Sequence, residues 1–254
     1  MSRERDEGLE VAYDELSLSY EEFGSVGMPL LFVHGLGCDR TDFSYQIERF
    51  GRERRVVAVD LRGHGQSIRP EGDYSVPTFA DDLARLCSEL ELERPAIVGH
   101  GMGSQVEGDL AARYPGLPGA VVMLDSTVLP PRRFTEFLRP FSAAMPTPGY
   151  KEALRRFFKY AFAPADNPGR KERLSSASPS YPSTWRSHHG RAFSRPGTAR
   201  LPRRGVRSRS STSTTVLPIA TWSAFASCAR NCSTVRRSAP GTGQCWRCPS
   251  RSTP

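Results

Sequence analysis

The chain has 254 residues, enough for one large α/β domain, and its formal net charge of +8 points to a nucleic-acid binder only until the chain is divided. Residues 175–254 hold 13 Arg and no Lys, Asp or Glu, whereas residues 1–174 hold 22 basic and 27 acidic residues, a net of −5. No run approaches the ~20 apolar residues of a membrane span, the charged start has no signal-peptide core, and Cys38 and Cys87 are too few for a disulfide framework in the first part. The expectation is a cytoplasmic protein with no membrane contact.

In chain order, residues 10–13 and 17–23 read as two short strands with a turn between them. Four compact apolar runs follow, at residues 29–34, 54–60, 95–99 and 119–125. Short β-branched runs bounded by Gly or Pro are the pattern of buried parallel strands. Helical segments separate them at residues 42–50, 78–92 and 102–114. In the second of these, Phe79, Leu83, Leu86 and Leu90 form one apolar face, and Asp81 and Asp82 are expected in its first turn. Strands alternating with helices predict an α/β fold: a mostly parallel sheet with helices on both faces, over residues 1–125.

Residues 126–174 carry several prolines and one aromatic helix candidate at 150–162, and read as an inserted helical cap. Residues 175–254 have 17 Ser and 8 Pro but only eight Leu, Ile, Val, Phe or Met. That is too little apolar surface to offset chain ordering, so a disordered tail and an incomplete sheet are expected.

Three glycine-rich strings carry the chemistry. His34-Gly35-Leu36-Gly37 ends the first central strand, Asp60-Leu61-Arg62-Gly63-His64-Gly65-Gln66-Ser67 follows the next, and Gly99-His100-Gly101-Met102-Gly103 follows the third. In order and spacing they resemble the α/β-hydrolase superfamily, in its esterase, lactonase, haloperoxidase-like and C–C-bond-hydrolase branch, over roughly residues 9–174. The resemblance implies a catalytic serine at the centre of the third string. Gly99 and Gly103 keep the flanking positions, but the nucleophile position is Gly101, which has no side chain to attack with. Ser104 belongs to the first helical turn, away from the apex. The resemblance also assigns an oxyanion hole to the backbone N–H groups of Leu36 and Met102, which do not depend on a serine.

The superfamily's acid and histidine follow the nucleophile in the chain. Asp125 is the acid candidate in the ordered part, although a strand-end Asp that bonds the next loop is the simpler reading. His34 and His64 are expected to make structural hydrogen bonds. His188 and His189 stand in the Arg/Ser tail with no strand before them.

The tail has the composition of GC-rich coding DNA read out of frame. With permissive codon choices, a one-base shift rereads residues 222–253 as a string containing Gly-x-Gly-His-Trp, its His codon straddling Gly241 and Thr242. The same shift turns residues 207–215 into a strand-like run ending in acids. A zinc site at Cys228, Cys232, Cys245 and Cys248 has suitable spacing but few core residues between the pairs, so no metal is expected. Nor does the resemblance imply a cofactor. The expected partner is a small-molecule substrate or ligand. No specific nucleic-acid site is expected, and the tail arginines invite nonspecific polyanion binding. Substrate identity and oligomeric state are not legible.

Overall fold

The computed structural model describes residues 5–13, 16–125, 132–161, 168–169, 172, 186 and 215–220. The chain forms a seven-stranded sheet in the order β1-β2-β4-β3-β5-β6-β7. Strands β1 (Arg5–Tyr13) and β2 (Leu16–Phe23) make an antiparallel hairpin, and β2 pairs antiparallel with β4 (Val56–Val59). Strands β3 (Leu30–Val33), β4, β5 (Ala96–His100), β6 (Ala120–Leu124) and β7 (Thr215–Ala220) are mutually parallel. The chain passes from β3 to β4 on one side and returns to β5 on the other. The C-terminal ends of β3 and β5 therefore flank the switch point where ligands enter open α/β sheets.

Alternation along each strand divides the core into two layers. Leu31, Val33, Val57, Val59 and Ile97 face α2 (Val76–Glu89) and α3 (Met102–Arg113). Leu30, Phe32, Val56, Ala58 and Val98 pack with Phe43 and with Ile47 of α1 (Ser44–Gly51). With apolar neighbours on both faces, the central strands are continuous apolar runs.

Helix α2 begins at Val76, earlier than its apolar periodicity suggested. Ser75 caps it, accepting from the Thr78 N–H, and Pro77 occupies its first turn. This corrects the placement of Asp81 and Asp82, which lie beyond the first turn and face specific cations instead of the helix dipole. Asp82 takes both arms of Arg62 at 2.5 Å, and Asp81 accepts from Arg113 at 2.6 Å and Tyr114 at 2.5 Å.

The described part of residues 126–174 contains two helices where one was expected. Helix α5 (Tyr150–Ala161) matches the aromatic candidate, while α4 (Arg132–Ala144) was hidden by its internal Pro140. Phe141 of α4, Met145 just after it, and Tyr150, Leu154 and Phe158 of α5 join the same apolar cluster as Leu36 and Met102. The sheet also extends further than the tail's composition suggested, since β7 lies between residues 175 and 254 and pairs with β6. The other expectations for the tail, including its disorder and shifted frame, His188, His189 and the four cysteines, fall outside the described residues. No described helix is long and apolar enough to cross a membrane.

Backbone contact docks α3 onto the sheet. A Cβ at Gly99 would lie 2.5 Å from the Gly103 carbonyl, and one at Gly103 would overlap the Val33 carbonyl and lie 2.8 Å from that of His34. Ser104, with no solvent exposure, donates to the carbonyls of Gly99 at 2.7 Å and Leu124 at 3.2 Å. Glu107, one turn further, is also fully buried. Neither of its carboxyl oxygens makes a hydrogen bond of normal geometry among the described residues. Burial pushes its pKa well above the ordinary 4.5, against a smaller opposing influence of the Gly99 backbone.

Two predictions follow from this docking. Gly103→Ala forces the helix off the β3 backbone and is expected to cost about 2–3 kcal/mol, read as a lowered denaturant midpoint. Glu107 binds its proton more tightly when folded than when unfolded. Its contribution to stability is therefore complete below about pH 4.5 and is lost as pH rises toward the elevated folded value. Glu107→Gln should gain stability relative to the parent protein progressively above that pH. A stability difference between the two that does not vary with pH would contradict a protonated, buried Glu107.

Candidate functional site

The site is assembled from three loops at the C-terminal ends of β3, β4 and β5. Its foundation is Asp60, which is fully buried and accepts from the Arg40 N–H at 2.7 Å, the Gln66 N–H at 2.9 Å and the Arg40 guanidinium. Arg40 also donates to the Gln66 side chain at 3.0 Å. These bonds tie the loop after β3 to the loop after β4. Breaking such a buried pair strands a charge, which is why it holds firmly. Ser67 adds a second tie, donating to the Asp60 carbonyl at 2.5 Å and accepting from the Ser19 N–H at 2.8 Å.

His34 and His64 are both buried behind the glycine-rich turns. The His34 Nδ1–H donates to the Gly35 carbonyl at 2.8 Å, and its Nε2 accepts from the Leu61 N–H at 3.0 Å. With both ring nitrogens used, His34 bridges the β3 and β4 loops. His64 packs against it, ring centroids 4.9 Å apart, with Nδ1 at 3.0 Å from the Arg62 carbonyl.

Gly101 forms the apex between β5 and α3. Its φ of 55° and ψ of −110° are those of a sharp strand-to-helix turn, which glycine adopts without strain. The Gly101 N–H donates to the Leu124 carbonyl at 2.9 Å, and its own carbonyl accepts from the Ser104 N–H at 3.2 Å. The flanking glycines leave no room for side chains, but the apex does. A Cβ built on Gly101 meets only the Gly35 Cα, at 3.9 Å. The turn thus keeps the shape of one that presents a side chain, and presents none.

Leu36 sits in the turn after β3, where no described residue accepts from its N–H. Met102 is the first residue of α3, so its N–H has no bond within that helix. Gly37 turns this loop with a φ of 70°. Ser104 is committed to two backbone carbonyls beneath the turn and does not reach the apex.

Asp125 follows β6 with a φ of 47°. Parallel pairing sets His100 opposite Leu124, so Asp125 lies one residue beyond the partner of His100. Their side chains approach to 3.9 Å between His100 Nε2 and Asp125 Oδ2. Sequence reasoning named both residues but did not join them, because strand register is not legible in either motif. It missed Glu107 altogether: nothing in the helical pattern distinguishes a buried carboxylic acid from a solvated one.

Comparisons with known proteins place the chain in a family and a fold. A model of the Alpha/beta hydrolase family matches residues 30–238. The chain is 37% identical over 112 residues to the 2-(acetamidomethylene)succinate hydrolase of Mesorhizobium japonicum, covering 44% of this chain and 40% of that protein. It spans less than half the length of the curated relatives it matches. Among solved structures, it resembles a thermophilic esterase from Thermogutta terrifontis, with a TM-score of 0.65, 24% identity, and coverage of 87% of this chain and 80% of that one. It also resembles the enol-lactonase of Burkholderia xenovorans, with a TM-score of 0.61, 20% identity, and coverage of 73% and 72%. These structural likenesses show the fold, and the family match reaches from β3 through β7. The chain belongs to the alpha/beta hydrolase family.

Proposed function

We propose that this chain descends from a serine hydrolase of esters, lactones or related carbonyl compounds, and that it retains the carbonyl-binding pocket without acyl-transfer chemistry. The observation that carries this reading is Gly101 at the apex of an otherwise intact turn. Acyl transfer needs a side-chain nucleophile with a base beside it. The pocket keeps the two backbone donors, Leu36 and Met102, which would hold a carbonyl oxygen as it gains charge. Esterase and lactonase relatives support the choice of carbonyl ligands.

The protein is expected to hydrolyse short acyl esters no faster than buffer and to escape labelling by serine-directed fluorophosphonates. Substantial turnover that is abolished by Gly37→Ala, which alters the turn carrying Leu36, would overturn the reading. Gly101→Ser has space for its side chain, yet alone should leave turnover at background, because no triad histidine stands beside it among the described residues. The reading of the tail is tested at the gene. Sequenced coding DNA for residues 95–254 should show the shifted frame open through its Gly-x-Gly-His segment, whereas stop codons in that frame would refute a frameshift origin.

A further inference from the structure

The turn between α4 and α5 is built to keep one shape. Residues 145–149 read Met-Pro-Thr-Pro-Gly, and the prolines on either side of Thr147 restrict its backbone. The Thr147 N–H and hydroxyl both donate to the Ala144 carbonyl, at 3.0 and 2.7 Å, and the hydroxyl accepts from the Gly149 N–H at 3.2 Å. The Thr147 carbonyl accepts from the N–H of Tyr150, the first residue of α5, at 3.2 Å. A carbonyl has two lone pairs, so it can receive a second donor. Tyr150 is buried in the apolar cluster that contains Leu36 and Met102. Carbonyl and ring together make a notch with a polar edge and an aromatic face.

Arg186 fills this notch. Its Nη1 donates to the Thr147 carbonyl at 3.0 Å across 39 residues of sequence, and its Cζ lies over the Tyr150 ring, 4.8 Å from the centroid. Its Nε is sealed from solvent and makes no hydrogen bond among the described residues. Taking that atom out of water without a replacement is costly, so the other two contacts must hold the group in place. Neither contact is a carboxylate. The neighbouring helix is itself basic: Arg155, Arg156 and Lys159 are exposed on α5, and the two arginines share Glu152. Charge on α5 therefore opposes another cation. The notch instead selects a flat cation that stacks on a ring while donating in its own plane, which a guanidinium does and an ammonium does not.

We propose that the α4–α5 turn is a guanidinium-binding site, occupied in cis by Arg186, and that this occupancy holds the two cap helices against the apolar cluster. The proposal is independent of the fate of the nucleophile and of the origin of the tail. It gives one residue of the Arg-rich stretch a definite task, as a positioning residue for α5. The same chemistry admits a competitor, because a guanidinium presented by another molecule meets the same ring and the same carbonyl.

The test is amide hydrogen exchange of the full chain, read by mass spectrometry of peptides from α5, with peptides from α2 as the internal reference. In Arg186→Gly the α5 amides should exchange about tenfold faster than in the parent protein, while those of α2 stay unchanged. Methylguanidinium chloride at millimolar concentrations should restore the protection of α5 in Arg186→Gly, and methylammonium chloride at the same concentration should not. Arg186→Lys, which keeps the charge but not the plane, should exchange like Arg186→Gly. The Arg186→Gly effect should persist in a Tyr150→Phe background, which keeps the ring, and vanish in Tyr150→Leu. Equal protection of α5 in the parent protein and Arg186→Gly overturns the proposal. So does faster exchange in α2 as well as α5, which marks a loss of the whole fold instead of release of the cap. A failure of methylguanidinium to restore protection, or an equal recovery with methylammonium, overturns the assignment of a guanidinium site.

Discussion

The structure depends on the approach of α3 to the backbone of β3 and β5. Gly99 and Gly103 have no side chains because there is no room for any: the helix backbone sits where a Gly99 Cβ would be, and the Val33 and His34 carbonyls where a Gly103 Cβ would be. This contact brings the first turn of α3 to the ends of the strands, and with it the Met102 N–H. It also allows Ser104 to reach the carbonyls of Gly99 and Leu124. Atoms in contact at backbone distance cannot relax around an added methylene, so the arrangement is nearly all-or-none. The Asp60 network serves the same end from the other side by holding the Leu36 loop in place.

Much of this was legible in the sequence because the constraints are local. A Gly-rich string after an apolar run marks a strand end, and three such strings in order marked the sheet and its switch point. What depended on distant partners was not legible. Asp81 and Asp82 seemed to serve a helix dipole, but the helix starts earlier and Arg62 and Arg113 claim them. Helix α4 was obscured by Pro140, a residue that local propensity alone reads as a break. Strand β7 lies in a stretch whose average composition is poor in apolar residues, and six residues can pair with a sheet edge without altering that average. The candidate site divided in the same way. Its backbone donors and missing nucleophile are sequence-local, whereas the approach of Asp125 to His100 follows from the register of β5 and β6.

Glu107 sharpens the contrast between docking and chemistry. Burying a carboxylic acid with no hydrogen bond of normal geometry among the described residues is costly, and the cost favours its protonated form. The charged groups on the elements around it are engaged elsewhere. Asp81 and Asp82 of α2 face Arg113, Tyr114 and Arg62, Asp109 of α3 pairs with Arg113, and His100, the last residue of β5, approaches Asp125, which follows β6. The helix that delivers Met102 to the site is therefore held by steric fit and hydroxyl bonds, at a position where an acid works against it as pH rises.

This explains how the turn can keep its form without the serine. In a working hydrolase, a residue with a side chain at φ near 55° is strained, and the strain is held in place by its surroundings. Here those surroundings persist: the helix contact, the Leu124 carbonyl on the Gly101 N–H, and the Ser104 anchor. Glycine at the apex removes the strain while the restraints remain, so the turn has lost a cost rather than a support. On the proposed reading, the loss of the nucleophile and the survival of the turn are then independent events. Nothing in the packing that shapes Leu36, Met102 and His100 passes through the missing side chain. On the reading proposed here, acyl transfer is abandoned while the backbone around Leu36 and Met102 stays in place.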